Sequence, residues 1–197
     1  MVGLGDDGSK IGAAMAKFIT EDIVTCSMIL PDPPTDAILT DLTSSLLASL
    51  YSDNRYRTGD NIKQPAGNLT SVELVITADV TDTASKAITT GTSIASGIVL
   101  AKDIVNAPHN VLNSESLAET AKRIAEKVPT LSCRILNKQE CEERGMGAFL
   151  GVARGSETQP QFIHLTYTPP PSDDTTEIVK VGIIGKGLLF DTGGCKS

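Results

Sequence analysis

The sequence predicts an α/β protein, and three observations carry that expectation. Stretches of alternating apolar residues take turns with stretches where apolar residues recur every three to four positions, the pattern of strands interleaved with helices. Clusters of Pro, Gly and Asp mark the changes of period. Hydrophobic residues make up 40% and charged residues 21% of the 197 residues, a globular composition in a chain long enough to bury a sizeable core without staples. Trp is absent and aromatic residues are only 4%, so that core has to be aliphatic.

Taken in order, Val2-Gly-Leu-Gly5 reads as the end of a buried strand entering a loop. Lys10 to Ile19 has helical spacing, with Ile11, Met15, Phe18 and Ile19 on one face. Asp22 to Leu30 is a β-type apolar run closed by Pro31-Asp-Pro-Pro34. Helical spacing returns from Thr35 to Tyr51 through Ile38, Leu42, Leu46 and Leu50, and a polar loop follows from Ser52 to Asn68. Ser71 to Thr77 predicts a strand. A long helix is expected from about Thr83 to Val105, although its Thr-rich composition, Gly91 and Gly97 lower intrinsic propensity and require packing, or a connector role, to compensate. Asn106-Ala-Pro108 stops it, and Asn113 or Ser114 can cap the next helix, with Ser116 and Glu119 also fitting a capping box. That helix ends before Pro129. The remaining expected elements are strand 132–136, helix 138–144 ending at Gly145, a short helix over 146–152, strand 162–167 and strand Glu177–Ile184.

Charge and cysteine usage exclude several classes. Lys+Arg 17 against Asp+Glu 24 gives a net charge of −7 and a pI near 4.8, which argues against a nucleic-acid partner and against an anionic membrane surface. Cys26, Cys133, Cys141 and Cys195 form no CxxC pair and read as free thiols in a reducing compartment. No continuous run approaches the ~18 apolar residues of a membrane span, and the first residues have neither the basic nor the apolar region of a signal peptide. The expectation is a soluble, cytoplasmic protein without a membrane partner.

Chemistry is expected where the final strand empties into Gly185-Lys-Gly-Leu-Leu-Phe-Asp191-Thr-Gly-Gly194, because ligands in α/β sheets gather where strands end and loops begin. A phosphate loop fails on spacing: it needs Gly where Lys180 stands and Ser or Thr where Gly187 stands. An aspartic-protease reading of Phe190-Asp-Thr-Gly193 meets Gly194 where Ser or Thr is usual. A metal site is open, since a carboxylate on a glycine-rich loop is a normal divalent-metal ligand. So is a tight turn carrying a surface lysine. His109 and His164 suggest no pair, His164 reads as a structural strand residue, and Glu140, Glu142, Glu143 and Arg144 read as a solvated helix face. Cys195 has no base nearby and reads as inert.

The segment Gly185 to Gly194 resembles the GKGxxFDSGG segment of the leucyl aminopeptidase (cytosol aminopeptidase) family. Ala101-Lys-Asp-Ile-Val-Asn-Ala-Pro108-His-Asn-Val-Leu112 resembles that family's linker-to-catalytic-domain junction, and Gly145-Met-Gly-Ala-Phe-Leu-Gly-Val-Ala-Arg-Gly-Ser156 its next signature. Asp53-Asn-Arg-Tyr-Arg57 is similar to a segment of the plant-type N-terminal region.

The resemblance implies a partial N-terminal α/β domain of macro-like type over 1–80, a connecting helix over 81–106, and the start of an α/β metallopeptidase domain over 107–197. It implies a metalloaminopeptidase that takes peptide substrates, uses two divalent ions (zinc, manganese or magnesium) and assembles as a homohexamer. By the same resemblance Lys186 is a ligand of one metal and Asp191 bridges both, while Thr192 stands where Ser is common. The family's second active-site lysine, a further aspartate and the NTDAEGR-type segment with its arginine fall after Ser197. The expectation is a fragment cut at both ends and inactive alone, with a plastid location open if a transit peptide precedes it. The competing expectation is a catalytically dead interaction module that joins full-length relatives.

Overall fold

The computed structural model describes residues 7–30, 33–62, 64, 66–76, 82–170 and 179–189, and the chain divides into two compact units, Met1–Asn106 and Ala107–Ser197. The first unit runs α1 (Gly8–Ala16), β1 (Thr25–Leu30), α2 (Asp36–Ser49), a 3₁₀ turn (Gly59–Asn61), β2 (Ser71–Ile76) and α3 (Asp82–Asn106). The second runs α4 (Ser114–Lys127), β3 (Leu131–Leu136), α5 (Lys138–Glu143), α6 (Gly147–Ala153) and β4 (Phe162–Tyr167). The mixture is α/β, as the alternating periods predict.

In the first unit β1 and β2 pair in parallel, from Thr25 opposite Ser71 to Leu30 opposite Ile76. The two-residue period puts Cys26, Met28, Leu30, Val72, Leu74 and Ile76 on the covered face and leaves Ile29 and Val75 on the open one. Helices α1, α2 and α3 follow one another in contact, with α2 between the other two. The core is aliphatic. Leu30, Leu39, Leu42, Ala84 and Ala87 form one cluster, and Met15, Ile19 and Leu46 a second.

Helix α3 answers the propensity problem by close packing. Its buried residues are Ala84, Ala87, Gly91 and Ala95, all small, so its backbone comes close to α2. A Cβ built on Gly91 would lie 2.6 Å from the Thr40 carbonyl oxygen and 2.8 Å from the Thr43 Cβ. Gly97 meets nothing within 4 Å, so no neighbour requires glycine there. The exposed hydroxyls of Thr89, Thr90, Thr92, Ser93 and Ser96 each donate to the carbonyl four residues back at 2.9–3.0 Å.

By length and composition alone α3 is long and apolar enough to cross a membrane, with a window of mean hydropathy 1.2, although it holds no continuous apolar run. Thr and Ser are near neutral in hydropathy, so Ile, Val and Ala lift the mean without forming an unbroken apolar stretch.

The second unit is built on β3 and β4, antiparallel, with Leu131 opposite Tyr167 and Leu136 opposite Phe162. Helix α4 packs on both strands. Its cap is Asn113, whose Oδ1 accepts from the Glu115 and Ser116 backbone N–H groups at 3.0 Å. Ser116 Oγ in turn accepts from the Asn113 N–H at 2.9 Å, so Ser116 closes the Asn113 box and does not open one with Glu119. Gly145, at φ +66°, ends α5 in the left-handed region. Phe149 of α6 meets Phe162 of β4 edge to face at 5.8 Å between ring centres.

The strand expected over 177–184 is not formed in its described part. Residues 179–189 have no assigned strand, and Val179, Val181, Ile183 and Ile184 are 80%, 78%, 95% and 97% exposed. An extended segment becomes a strand only when a neighbour takes its backbone hydrogen bonds, and none of the described residues pairs with it.

Candidate metal centre

Lys186 stands in the exposed segment after Ile184, between two glycines. Gly187 has φ +63°, a conformation that L side chains rarely adopt, so the turn directly after the lysine needs glycine. No heavy atom lies within 4 Å of where a Cβ would stand on Gly185 or Gly187. The lysine is therefore exposed and uncrowded.

Asp191, the second expected ligand, lies outside the described residues, as do Thr192 and Cys195. The described residues thus contribute one of the two expected donors. Among them no group of three or more His, Cys, Asp or Glu side chains stands together. Among the described residues the expected metal centre is therefore represented by Lys186 alone.

The other candidates fall where structural roles place them. His164 lies exposed on β4 with its Nε2 3.4 Å from Thr166 Oγ1. His109 follows Pro108 in the turn closed by the Val111 and Leu112 N–H groups donating to the Pro108 carbonyl. Cys26, Cys133 and Cys141 are free thiols, and burial pushes the Cys133 and Cys141 thiols up, which keeps them protonated. Glu142, Glu143 and Arg144 are exposed, but Glu140 departs from a merely solvated face. Its carboxylate accepts from the Asn137 N–H at 3.0 Å, while Asn137 Oδ1 accepts from the Glu140 N–H at 2.9 Å, a capping box for α5. The Asn-x-x-Glu spacing before a helix is the signal that finds it.

A polar cluster in the first unit is not visible from spacing, because it joins Tyr51, Asp53 and Arg55 to Asp103, about fifty residues further on. Arg55 grips Asp53 through two parallel bonds of 2.9 Å, and its Nη2 lies 3.0 Å from Asp103 Oδ1. The Tyr51 hydroxyl donates to Asp103 Oδ1 at 2.8 Å. The Arg55 hydrogen bond is the largest influence holding the Asp53 carboxyl down at about 2. Burial, the largest influence on Tyr51, raises its hydroxyl.

Comparison with known proteins follows the order of these elements. Residues 99–196 match the model of the cytosol aminopeptidase family, catalytic domain, beginning within α3 and running through the Lys186 segment. The chain belongs to the cytosol aminopeptidase family. A "Probable cytosol aminopeptidase" of Gloeobacter violaceus is 35% identical over 98% of this chain and 41% of its own length. One of Synechocystis is 38% identical over 98% of this chain and 39% of its own length. The chain therefore spans about two fifths of the length of the curated relatives it matches. Among solved structures, a mutant tomato leucine aminopeptidase superposes with TM-score 0.73 at 25% identity, covering 84% of this chain and 34% of that one. The bottromycin maturation enzyme BotP, in complex with manganese, shares the fold with TM-score 0.67 at 23% identity, covering 83% of this chain and 34% of that one.

Proposed function

We propose that the protein acts as a leucyl aminopeptidase, a metal-dependent exopeptidase that releases N-terminal amino acids from peptides. The observation that carries this reading is the continuous similarity: 98% of the chain aligns at 35–38% identity with cytosol aminopeptidases, in order and across both units. Lys186 and Asp191 are the proposed metal ligands, taking zinc, manganese or magnesium. When bound, such a pair of ions supplies Lewis-acid polarisation of the scissile carbonyl and an activated water. The family match and the manganese in the BotP structure support a divalent metal. The names of the relatives support a cytoplasmic site, while a plastid location and a homohexameric assembly stand as expectations of the resemblance.

The donor count favours a second proposal about the chain as it stands. Two ions need roughly eight to twelve ligands between them, and Lys186 and Asp191 supply two side chains. The 197 residues alone are therefore proposed to be inactive. The runner-up, an interaction module that assembles with full-length relatives, rests on the same deficit.

A chimera tests the aminopeptidase reading. Residues 99–196 replace the matching segment of the Synechocystis relative, after that relative's own activity is established with leucine-p-nitroanilide. The chimera is expected to hydrolyse the substrate with Mn²⁺ or Zn²⁺ and to lose it on Asp191→Ala, by about a thousandfold or more. A folded chimera that is inactive, or one indifferent to Asp191→Ala, contradicts the reading.

A further inference from the structure

Helices α2 and α3 both end without a basic residue in their last turn, so neither carries the cation that usually offsets the negative end of the helix. Each receives one from elsewhere. Lys102 of α3 donates through Nζ to the Ala48 carbonyl at 2.6 Å, one of the carbonyls that the end of α2 leaves without an intrahelical partner. Arg55, from the loop after α2, donates through Nη2 to the Asp103 carbonyl at 2.9 Å, the corresponding group at the end of α3. The two cations thus cap the two helices reciprocally.

The same residues are held in place by rings and carboxylates. Lys102 Nζ lies 5.3 Å from the centre of the Tyr51 ring and the Arg55 guanidinium 5.2 Å from that of Tyr56. The Arg55 fork is aimed by Asp53, whose Oδ1 also accepts from the Arg55 backbone N–H at 3.1 Å. The Tyr51 hydroxyl accepts from Asn106 Nδ2 at 3.3 Å, reaching the last residue of the helix.

Beyond Ala95 the apolar residues of α3 are at best half-buried, Val99 and Ile104 among them, so this polar group is the specific fastening at the helix end. The buried residues of α3 stop at Ala95, and Val105 in the last turn is 81% exposed. Asn106 is also the last residue of the first unit. We propose that Arg55 and Lys102 form a releasable clasp that fastens the last turn of α3, and so fixes the direction in which the chain leaves the first unit. The clasp is open to competing ions, since the Arg55 and Asp103 side chains are 42% and 36% exposed. Dissolved salt weakens such a pair, whereas the apolar seam of Ala84, Ala87, Gly91 and Ala95 does not depend on charge.

Residue-resolved amide exchange on the full 197-residue chain reads the clasp directly. Arg55→Ala is expected to speed exchange at 104–106 by about fivefold or more while 88–95 stays within about twofold, and Lys102→Met to do the same at the end of α2. In the unaltered chain, raising NaCl from about 0.05 to 1 M is expected to speed 104–106 selectively, and Arg55→Lys to fall between wild type and Arg55→Ala. Equal acceleration along the whole of α3, or none at 104–106, overturns the clasp. Should Arg55→Ala fail to fold, the salt series and Arg55→Lys decide the question in its place, because absence of a selective salt effect contradicts the clasp.

Discussion

Arg55 shows how much one side chain can organise when its planar fork is filled. It serves two carboxylates and a backbone carbonyl, a geometry that lysine's single ammonium cannot reproduce. Its effect on Asp53 has a definite pH sign. A carboxyl held at about 2 in the folded chain, below its ordinary 3.8, contributes stability that is fully present above about pH 4 and is lost as pH falls toward 2. An NMR titration of the Asp53 carboxyl is expected to give a midpoint near 2 in the native chain and one moved back toward 3.8 in Arg55→Ala. Equal midpoints in the two proteins contradict the pairing. Asn113 supports a smaller statement: Asn113→Ala removes both bonds that start α4 and is expected to cost about 1 kcal/mol in urea unfolding.

At the scale of elements, the two glycines of α3 have opposite roles although the sequence presents them alike. Gly91 sits against the α2 backbone, so Gly91→Ala forces the helices apart and is expected to cost about 1–3 kcal/mol. Gly97 faces open space, so Gly97→Ala is expected to stabilise by about 0.5–1 kcal/mol through backbone entropy. Denaturation midpoints of the two variants check the signs, and shifts in the same direction contradict the packing described. This pair also shows what a sequence can and cannot convey. Helical spacing through Ile38, Leu42 and Leu46 is local, as is the alternation in 71–76, and both elements form where that pattern puts them. Which glycine touches a neighbouring helix is a long-range fact. So is the Arg55–Asp103 pairing across forty-eight residues. The apolar alternation of 179–184 is local too, but a strand also requires a partner edge.

For the whole molecule, the exposed Val179, Val181, Ile183 and Ile184 make an apolar surface that water disfavours. Concentration-dependent self-association is expected by sedimentation at micromolar levels, reduced by Ile183→Lys. A monodisperse monomer over that range contradicts it. The candidate site was legible only as a motif: glycines around Lys186 predict a tight open turn, and Gly187 at φ +63° makes one. The geometry of a metal pair was not legible, because it depends on donors that no local spacing specifies. Family membership rests on order along nearly the whole chain, a signal that one motif cannot supply.

The claim that two donors do not make a catalyst is tested most directly by assaying the 197-residue chain itself on leucine-p-nitroanilide with Mn²⁺ or Zn²⁺ present. The predicted result is no turnover above a control of buffer and metal. Turnover above that control, abolished by Asp191→Ala, would contradict it.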